Sequence, residues 1–429
     1  MPLTLLRRAL RLLRPAQPAG PLPRPQAHLA APLAAIGATA LPTQAHALGG
    51  RSHLRATIDT SAPPGLAAIL ITATVATGPA RLRVTGADGT AHDTLELQPQ
   101  PTPHHAWLYA PPGPLQLDLQ ALSPITHLHL HEAAAWHLPP EALNPAALIP
   151  TPPLVADATW PRAYGAPPPN DCLARLREHL FARLQAPVLV PLLGGLKLWL
   201  EPGDELSRAV LLSGLYEPET LLAVEALLPQ GGIFVDVGAN CGLITAFAAR
   251  RAAEILAFEP SPREFARLQA NLAANAATHA TAHQAALAEA PGTVTLRLAE
   301  AGHAGHNTIG TGFAYQGVAT ETLHEVPATT LNAALAGLTR CDLIKMDIEG
   351  AELRALQGAG EALARLRPAL ILEVFDQALA GCGATEADLL AWLQSHAYEA
   401  RELDPATATF AGLAHPQPGI SRNIIALPR

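Results

Sequence analysis

Four cysteines in 429 residues, Cys172, Cys241, Cys341 and Cys382, stand far apart and form no C-x-x-C pair. That spacing indicates neither a zinc knuckle nor a disulfide scaffold, and it suits a reducing, cytoplasmic setting. Basic charge is also scarce. With 28 Lys and Arg against 36 Asp and Glu, the net charge is −8, the wrong sign for a surface that grips phosphates, so no nucleic-acid partner is expected. No apolar run is long enough for a membrane span, because Pro, His or Gly breaks each Ala-rich stretch. No tandem repeat is evident. What is present is an ordinary globular mix, 49% apolar and 15% charged, over a length that suits two or three domains.

The first fifty residues hold five arginines and no Asp or Glu. Leu3, Leu6, Leu10 and Leu13 fall on one helical face there, which would suit a short helix lying on an anionic membrane surface. A helix docked on the protein, a frayed end, or a signal peptide with an A-x-A-like site at Ala45 and Ala47 are the other readings. Residues 51–137 alternate apolar and polar positions in about seven short runs, with Asp88-Gly89 as a hairpin turn, and are expected to form a β-sandwich-like domain. Ten prolines between 138 and 169 read as a linker. From 170 to 429, after a helix and a hairpin, apolar strands alternate with Ala- and Leu-rich helices, which predicts an α/β domain on a parallel sheet. Strands are expected at 232–237, 254–259, 281–286, 342–347, 369–375, 398–403 and 422–427, the last two as an antiparallel edge pair.

The stretch FVDVGANCG at 234–242 ends a strand in an acid, Asp236, and then exposes backbone at Gly238, Asn240 and Gly242. Gly238 would let a ligand approach the main chain. Glu259 closes the next strand, twenty-one residues after Gly238, the placement of a carboxylate that accepts from both hydroxyls of a ribose. A nicotinamide dinucleotide needs G-x-G-x-x-G for its pyrophosphate; the loop has G-x-x-x-G behind an acid, so like-charge repulsion disfavours that ligand. A cation is favoured, and the ammonium and sulfonium of S-adenosyl-L-methionine fit a pocket that begins with an acid.

In CDLIKMDIEGAEL, 341–353, Lys345 interrupts a buried strand that ends in Asp347 and Glu349. Since ligands of open parallel sheets bind at the strands' C-terminal edges, Asp236, Glu259, Asp347 and Glu373 are expected to converge. A structural ion pair between Lys345 and Glu349 is the plainer alternative. His306, with His303 and Asn307, sits in a Gly-rich segment and would either orient an acceptor, act as a base, or belong to a surface loop. His127, His129 and His131 alternate along a strand and would span about 13 Å, too far for one tetrahedral ion, so no metal is expected.

YEPE at 216–219, FVDVGANCGLITAFAAR at 234–250, LAFEPSPREFARLQANLAAN at 256–275, DLIKMDIEGAELRALQGA at 342–359, RPALILEV at 367–374 and NIIALP at 423–428 together resemble the FkbM family of S-adenosylmethionine-dependent methyltransferases, over about residues 190–429. The resemblance implies a class I methyltransferase, Rossmann-like sheet and O-methylation, commonly of a sugar hydroxyl in a glycan or of a polyketide. It places Asp236, Gly238, Asn240 and Gly242 on the methionyl part and Glu259 on the ribose. Asp347 and Glu349 would face the reacting centre, with Tyr216 and Glu217 covering the pocket; Glu373, from the convergence of strand ends, is expected to bind substrate. Cys241 departs from the aliphatic residue the family more often has. The expected function is thus methylation of a small-molecule or glycan acceptor, with Asp347 favoured over Lys345 as proton acceptor. The rival is a non-catalytic saccharide- or partner-binding protein with a nucleoside-binding half. Oligomeric state is not legible.

Overall fold

In a computed structural model of the chain, the described residues are 27–150 with short breaks, 171–404 apart from 315–317, 409–413 and 421–429. The Arg-rich stretch at 3–14, His127 and most of the Pro-rich stretch lie outside them, as do the side chains of His129 and His131. Ala47 belongs to the strand His46–Gly50, paired with His53–Asp59. Among the described residues no helix is long and apolar enough to cross a membrane.

The chain forms two compact units. The first holds two antiparallel sheets. Thr39–Leu41, Leu128–Leu138, Leu66–Val75 and His104–Ala110 make one; His46–Gly50, His53–Asp59, Pro114–Ala121, Ala80–Gly86 and Ala91–Leu97 make the other. Every second residue of Leu66–Val75, from Ile69 to Val75, joins Leu82, Val84, Leu115, Leu117 and Leu119 in a single core. Each such Leu, Ile or Val stabilises the fold by roughly 1.5–3 kcal/mol. The other face of that strand, Leu66, Ala68 and Leu70, packs with Trp107, Tyr109, Leu148 and Leu176. Coverage on both faces is why AILITATV is apolar at nearly every position.

Leu176 comes from the helix Cys172–Phe181, capped by Asp171 accepting from the Ala174 N–H. Arg175 of this helix donates to Asp93 Oδ1 at 3.1 Å and to the Trp107 carbonyl. The helix therefore packs on the β-rich unit, a correction to a second domain starting at 170; its amphipathic period says that it needs a partner but not which one. The segment 139–148, read as linker, includes short helical turns at Pro140–Leu143 and Pro145–Leu148, because Pro is compatible with a first helical turn.

The second unit runs from Leu184 to Arg429 and is α/β, built on an eight-stranded sheet. Ala280–His283, Ala252–Phe258, Gly232–Val237, Leu343–Met346 and Ala369–Val374 lie side by side and parallel. Arg422–Pro428 follows antiparallel, then Tyr398–Asp404, then Thr409–Gly412. The expected antiparallel edge pair is thus three strands, since TFAG at 409–412 is too short to announce itself. Val235, Val237, Ile344, Met346, Leu370 and Leu372 pack in one core with helix residues such as Leu356, Leu363 and Leu389. Helices enter with caps: Asp204 accepts from the Ser207 N–H, Ser261 precedes Pro262, and Thr385 forms a capping box with Asp388. A smaller sheet, Ala286–Leu287, Thr320–Thr329 and Gly292–Ala299, carries the 3-10 segment Ala301–His306 in its connection.

Candidate active site

The turn after the central strand is tight for a reason internal to the protein. A Cβ on Gly238, whose φ is +76°, would stand 1.9 Å from the Asp347 carbonyl oxygen. The missing side chain thus lets two strand-end loops touch, where the sequence suggested a ligand's approach. At Gly242 a Cβ would meet Leu268 Cδ1 at 2.6 Å, so that glycine serves helix packing.

Asp236 is fully buried. Its Oδ2 accepts from Thr245 Oγ1 at 2.6 Å, and its Oδ1 lies 3.6 Å from Lys345 Nζ. The parallel register sets Asp236 directly beside Lys345. Lys345 Nζ also donates to the Gly238 carbonyl at 2.8 Å and lies 3.5 Å from Asp347 Oδ2. Burial raises the Asp236 pKa against the pull of Lys345. Burial works against the Lys345 ammonium too, but the Asp347, Asp236 and Glu217 charges outweigh it and its pKa is raised. Two corrections follow. Asp236 supports the floor of the site from inside and does not line the cleft; Lys345 is a fixed cation, unsuited to taking a proton, and its partners are Asp236 and Asp347 in place of Glu349.

Above this floor lies an open cleft, lined by Tyr216, Glu217, Gly238, Asn240, Glu259, Lys345, Asp347 and Glu349 among others. Three of these hold left-handed backbone: Glu217 at φ +48°, Asn240 at +49° and Glu349 at +53°. Such conformations cost roughly 1–3 kcal/mol each outside glycine and concentrate at sites where side-chain or N–H direction matters. Asn240 illustrates this: its N–H donates to Glu259 Oε2 at 2.8 Å, while the Ser261 N–H donates to Oε1 at 2.8 Å. Each oxygen keeps a second lone pair, which is the donor-accepting capacity a vicinal diol requires. Burial pushes the Glu259 carboxyl up to about 7 against those two hydrogen bonds.

At the other end, the carboxylate oxygens of Asp347, Glu349 and Glu373 lie within 4.8 Å of one another. Glu373 does not line the cleft; it accepts from Ser421 Oγ, and burial, then the Asp347 and Glu349 charges, raise its pKa well above the carboxyl norm. Glu217 is lifted to about 7 by burial and by Asp347, and accepts from Thr220 Oγ1 at 3.1 Å. His306 stands outside the lining, with Nδ1 3.2 Å from Glu349 Oε1. Burial alone would lower its pKa, but the Glu349 hydrogen bond and the Glu349, Glu205 and Asp347 charges leave it raised. Cys241 is fully buried and its thiol is pushed up to about 12 by burial, as packing requires.

Residues 236–400, which supply most of these groups, match the family model described as the Methyltransferase FkbM domain. That match lies wholly within the second unit. A crystal structure of methyltransferase FkbM from Methylobacillus flagellatus is similar at 17% identity and a TM-score of 0.32, covering 64% of this chain; this chain spans 56% of that one. A TehB-like SAM-dependent methyltransferase from Corynebacterium glutamicum is similar at 13% identity, TM-score 0.29, over 49% of this chain and 87% of its own. Magnesium protoporphyrin IX methyltransferase from Synechocystis, with bound SAM, shows 14% identity, TM-score 0.29, over 48% and 74%. No curated protein matches by sequence.

Within the matched region and its approach, sequence reasoning missed Thr245, which holds Asp236, and Glu352, whose carboxylate accepts from the Ile348 N–H at 2.9 Å and braces the Asp347 loop. It also missed Glu205, which faces both His303 and His306. Thr245 had a signal, lying nine residues beyond Asp236 on the next helix; Glu205 had none.

Proposed function

We propose that this protein O-methylates a sugar hydroxyl of a glycan or glycolipid precursor. The observation that carries the reading is the cleft with Glu259 at one strand end and Asp347, backed by Lys345, at another. Apolar Leu206, Ile244 and Phe258 line it together with the polar groups, as in small-ligand sites, and the two lone pairs left on Glu259 fit a ribose. On this reading Glu259 and Asn240 hold the nucleoside side of the cofactor, with Gly238 and the floor formed by Asp236 and Lys345 beneath its amino-acid part. S-adenosylmethionine, when bound, supplies an electrophilic methyl group with a good leaving group.

The protein's own residues then do three things. Tyr216 and the main chain at 238–241 bound the cleft and limit water. Asp347, partly exposed and held by Lys345 Nζ, accepts the proton that the acceptor hydroxyl gives up as its oxygen becomes methylated. Glu217 and Glu349 offer further carboxylate oxygens to neighbouring hydroxyls. A lining rich in acceptors suits a polyol and repels an anionic acceptor, which supports a neutral sugar over a nucleic acid. Positioning supplies most of the acceleration, ~7–11 kcal/mol in favourable cases, and the base a further ~10²–10⁴.

The test is Asp347→Asn, followed by methyl transfer to a panel of glycans and by calorimetry with S-adenosylhomocysteine. Turnover should fall by roughly 10²–10⁴ with affinity for the product nucleoside within a few fold. Full turnover in the variant would remove Asp347 as the base; transfer to no saccharide in the panel, with transfer to another hydroxyl compound, would overturn the acceptor class.

A further inference from the structure

One cluster of side chains has no part in that scheme. Glu205, in the first turn of the helix Glu205–Ser213, faces the 3-10 segment Ala301–His306. Glu205 Oε2 lies 3.1 Å from His303 Nδ1 and 3.9 Å from His306 Nε2, and one ligand atom from each of the three residues falls within 4.8 Å of the others. Each imidazole turns its remaining nitrogen to a second carboxylate: His306 Nδ1 to Glu349 Oε1 at 3.2 Å, and His303 Nε2 to Glu300 Oε1 at 3.7 Å. His303 Nδ1 is buried yet makes no hydrogen bond, although the Glu205 oxygen is close. The three groups attract one another when a proton sits between imidazole and carboxylate, and a metal ion shared by all three can take the place of those protons.

We propose that Glu205, His303 and His306 bind a divalent transition-metal ion of the zinc type, with a fourth position open to water or another ligand. Bonds of about 2.0–2.2 Å in a tetrahedral site separate the ligand atoms by about 3.3 Å, which the distances of 3.1 and 3.9 Å bracket. Two imidazoles with one carboxylate suit zinc, copper or nickel and not the all-oxygen preference of calcium or magnesium. Glu349 does what an outer carboxylate does for a metal-bound histidine: it fixes the His306 tautomer and aims the ligating nitrogen. The ion would tie Ala301–His306 to the helix at the rim of the cleft, which Gly305 and Asn307 line. This is a metal site beside the pocket, and it stands whether or not the acceptor is a sugar.

The experiment uses the untagged full chain, incubated with Zn²⁺, freed of excess ion and analysed for metal, with Co²⁺ absorption as a second readout. One zinc per chain is expected, with a tetrahedral Co²⁺ band. His303→Ala and Glu205→Gln each remove a ligand and should weaken binding by at least the roughly 10- to 100-fold that loss of an outer partner costs. A variant with His127, His129 and His131 all changed to Ala should keep the ion. Substoichiometric zinc in the wild-type chain would overturn the site, as would zinc retained by both His303→Ala and Glu205→Gln, or lost from the triple variant. Near-ultraviolet circular dichroism checks that each variant is folded, and Glu205→Gln, altered at an exposed position, keeps the test decisive if His303→Ala does not fold, zinc retained by it then overturning the site.

Discussion

Replacing Glu259 should cost cofactor affinity in an amount the geometry fixes. Its two oxygens already accept from the Asn240 and Ser261 N–H groups at 2.8 Å each, so the carboxylate is held in one orientation and each hydroxyl of a ribose would add one hydrogen bond to a charged acceptor. Such bonds contribute about 1.5–3 kcal/mol each. Glu259→Ala removes both, ~3–6 kcal/mol, or roughly 10²- to 10⁴-fold in Kd. Glu259→Gln keeps one acceptor and should lose roughly half of that free energy. Because either change also disturbs the turn, titration calorimetry is run as a cycle, wild type and Glu259→Gln against S-adenosylhomocysteine and its 2′-deoxy analogue. A coupling of about 1 kcal/mol or more between carboxylate and hydroxyl is expected for groups in contact. If deleting the hydroxyl weakens both proteins by the same factor, Glu259 does not hold the ribose, however much affinity the mutation costs.

Other outcomes follow from the same groups. Lys345→Met leaves Asp236 buried without its cation and should destabilise the second unit by ~3–5 kcal/mol; adding Asp236→Asn should restore part of the loss, and a melting curve showing no recovery would refute the pairing. Gly238→Ala puts a Cβ 1.9 Å from the Asp347 carbonyl oxygen and should lower the melting temperature sharply, whereas a variant that melts like wild type would contradict that packing. Glu217 and Glu259 reach about 7 and Glu352 about 8 through burial, from an ordinary 4.5. Raised folded pKa values mean that the folded chain holds more protons between about pH 4.5 and 8, so their stabilisation is complete below that window and is lost as pH rises through it. The ligand-free protein should therefore melt at a higher temperature at pH 6 than at pH 8, and the reverse order in differential scanning calorimetry would refute it. On the proposed role of Glu259 as acceptor for a ribose, S-adenosylhomocysteine should bind more tightly at pH 8 than at pH 6 and release protons on binding near neutrality, seen by calorimetry in buffers of different ionisation enthalpy.

The parallel strands of the second unit were legible because each is a short apolar run closed by a helix cap or turn. GIFVDV is observed at 232–237 and ALILEV at 369–374, where the pattern puts them. What escaped was everything set by partners distant in sequence. The helix Cys172–Phe181 has an amphipathic face that either unit would bury, and only Arg175 meeting Asp93 and Leu176 entering the core with Trp107 decide the matter. The Glu205, His303 and His306 cluster joins positions about a hundred residues apart.

Within the site, the sequence distinguishes residues near a strand's end from residues elsewhere, but it does not by itself say which of them face the cleft. Asp236 and Asp347 illustrate the difference. Both follow apolar runs and both precede a turn, yet Asp236 is still inside its strand, paired in register with Lys345, while Asp347 comes just after Met346 ends its strand. An acid inside a central strand is covered by the helices that pack on the sheet, so it must find a cation or a donor there, and Asp236 has Lys345 and Thr245. An acid one residue further on escapes that covering and can meet a substrate. A lysine interrupting one apolar strand and an acid interrupting its neighbour are therefore best read first as a pair, in which Asp236 stays beneath the cleft while the longer Lys345 reaches from it to the lining and to Asp347.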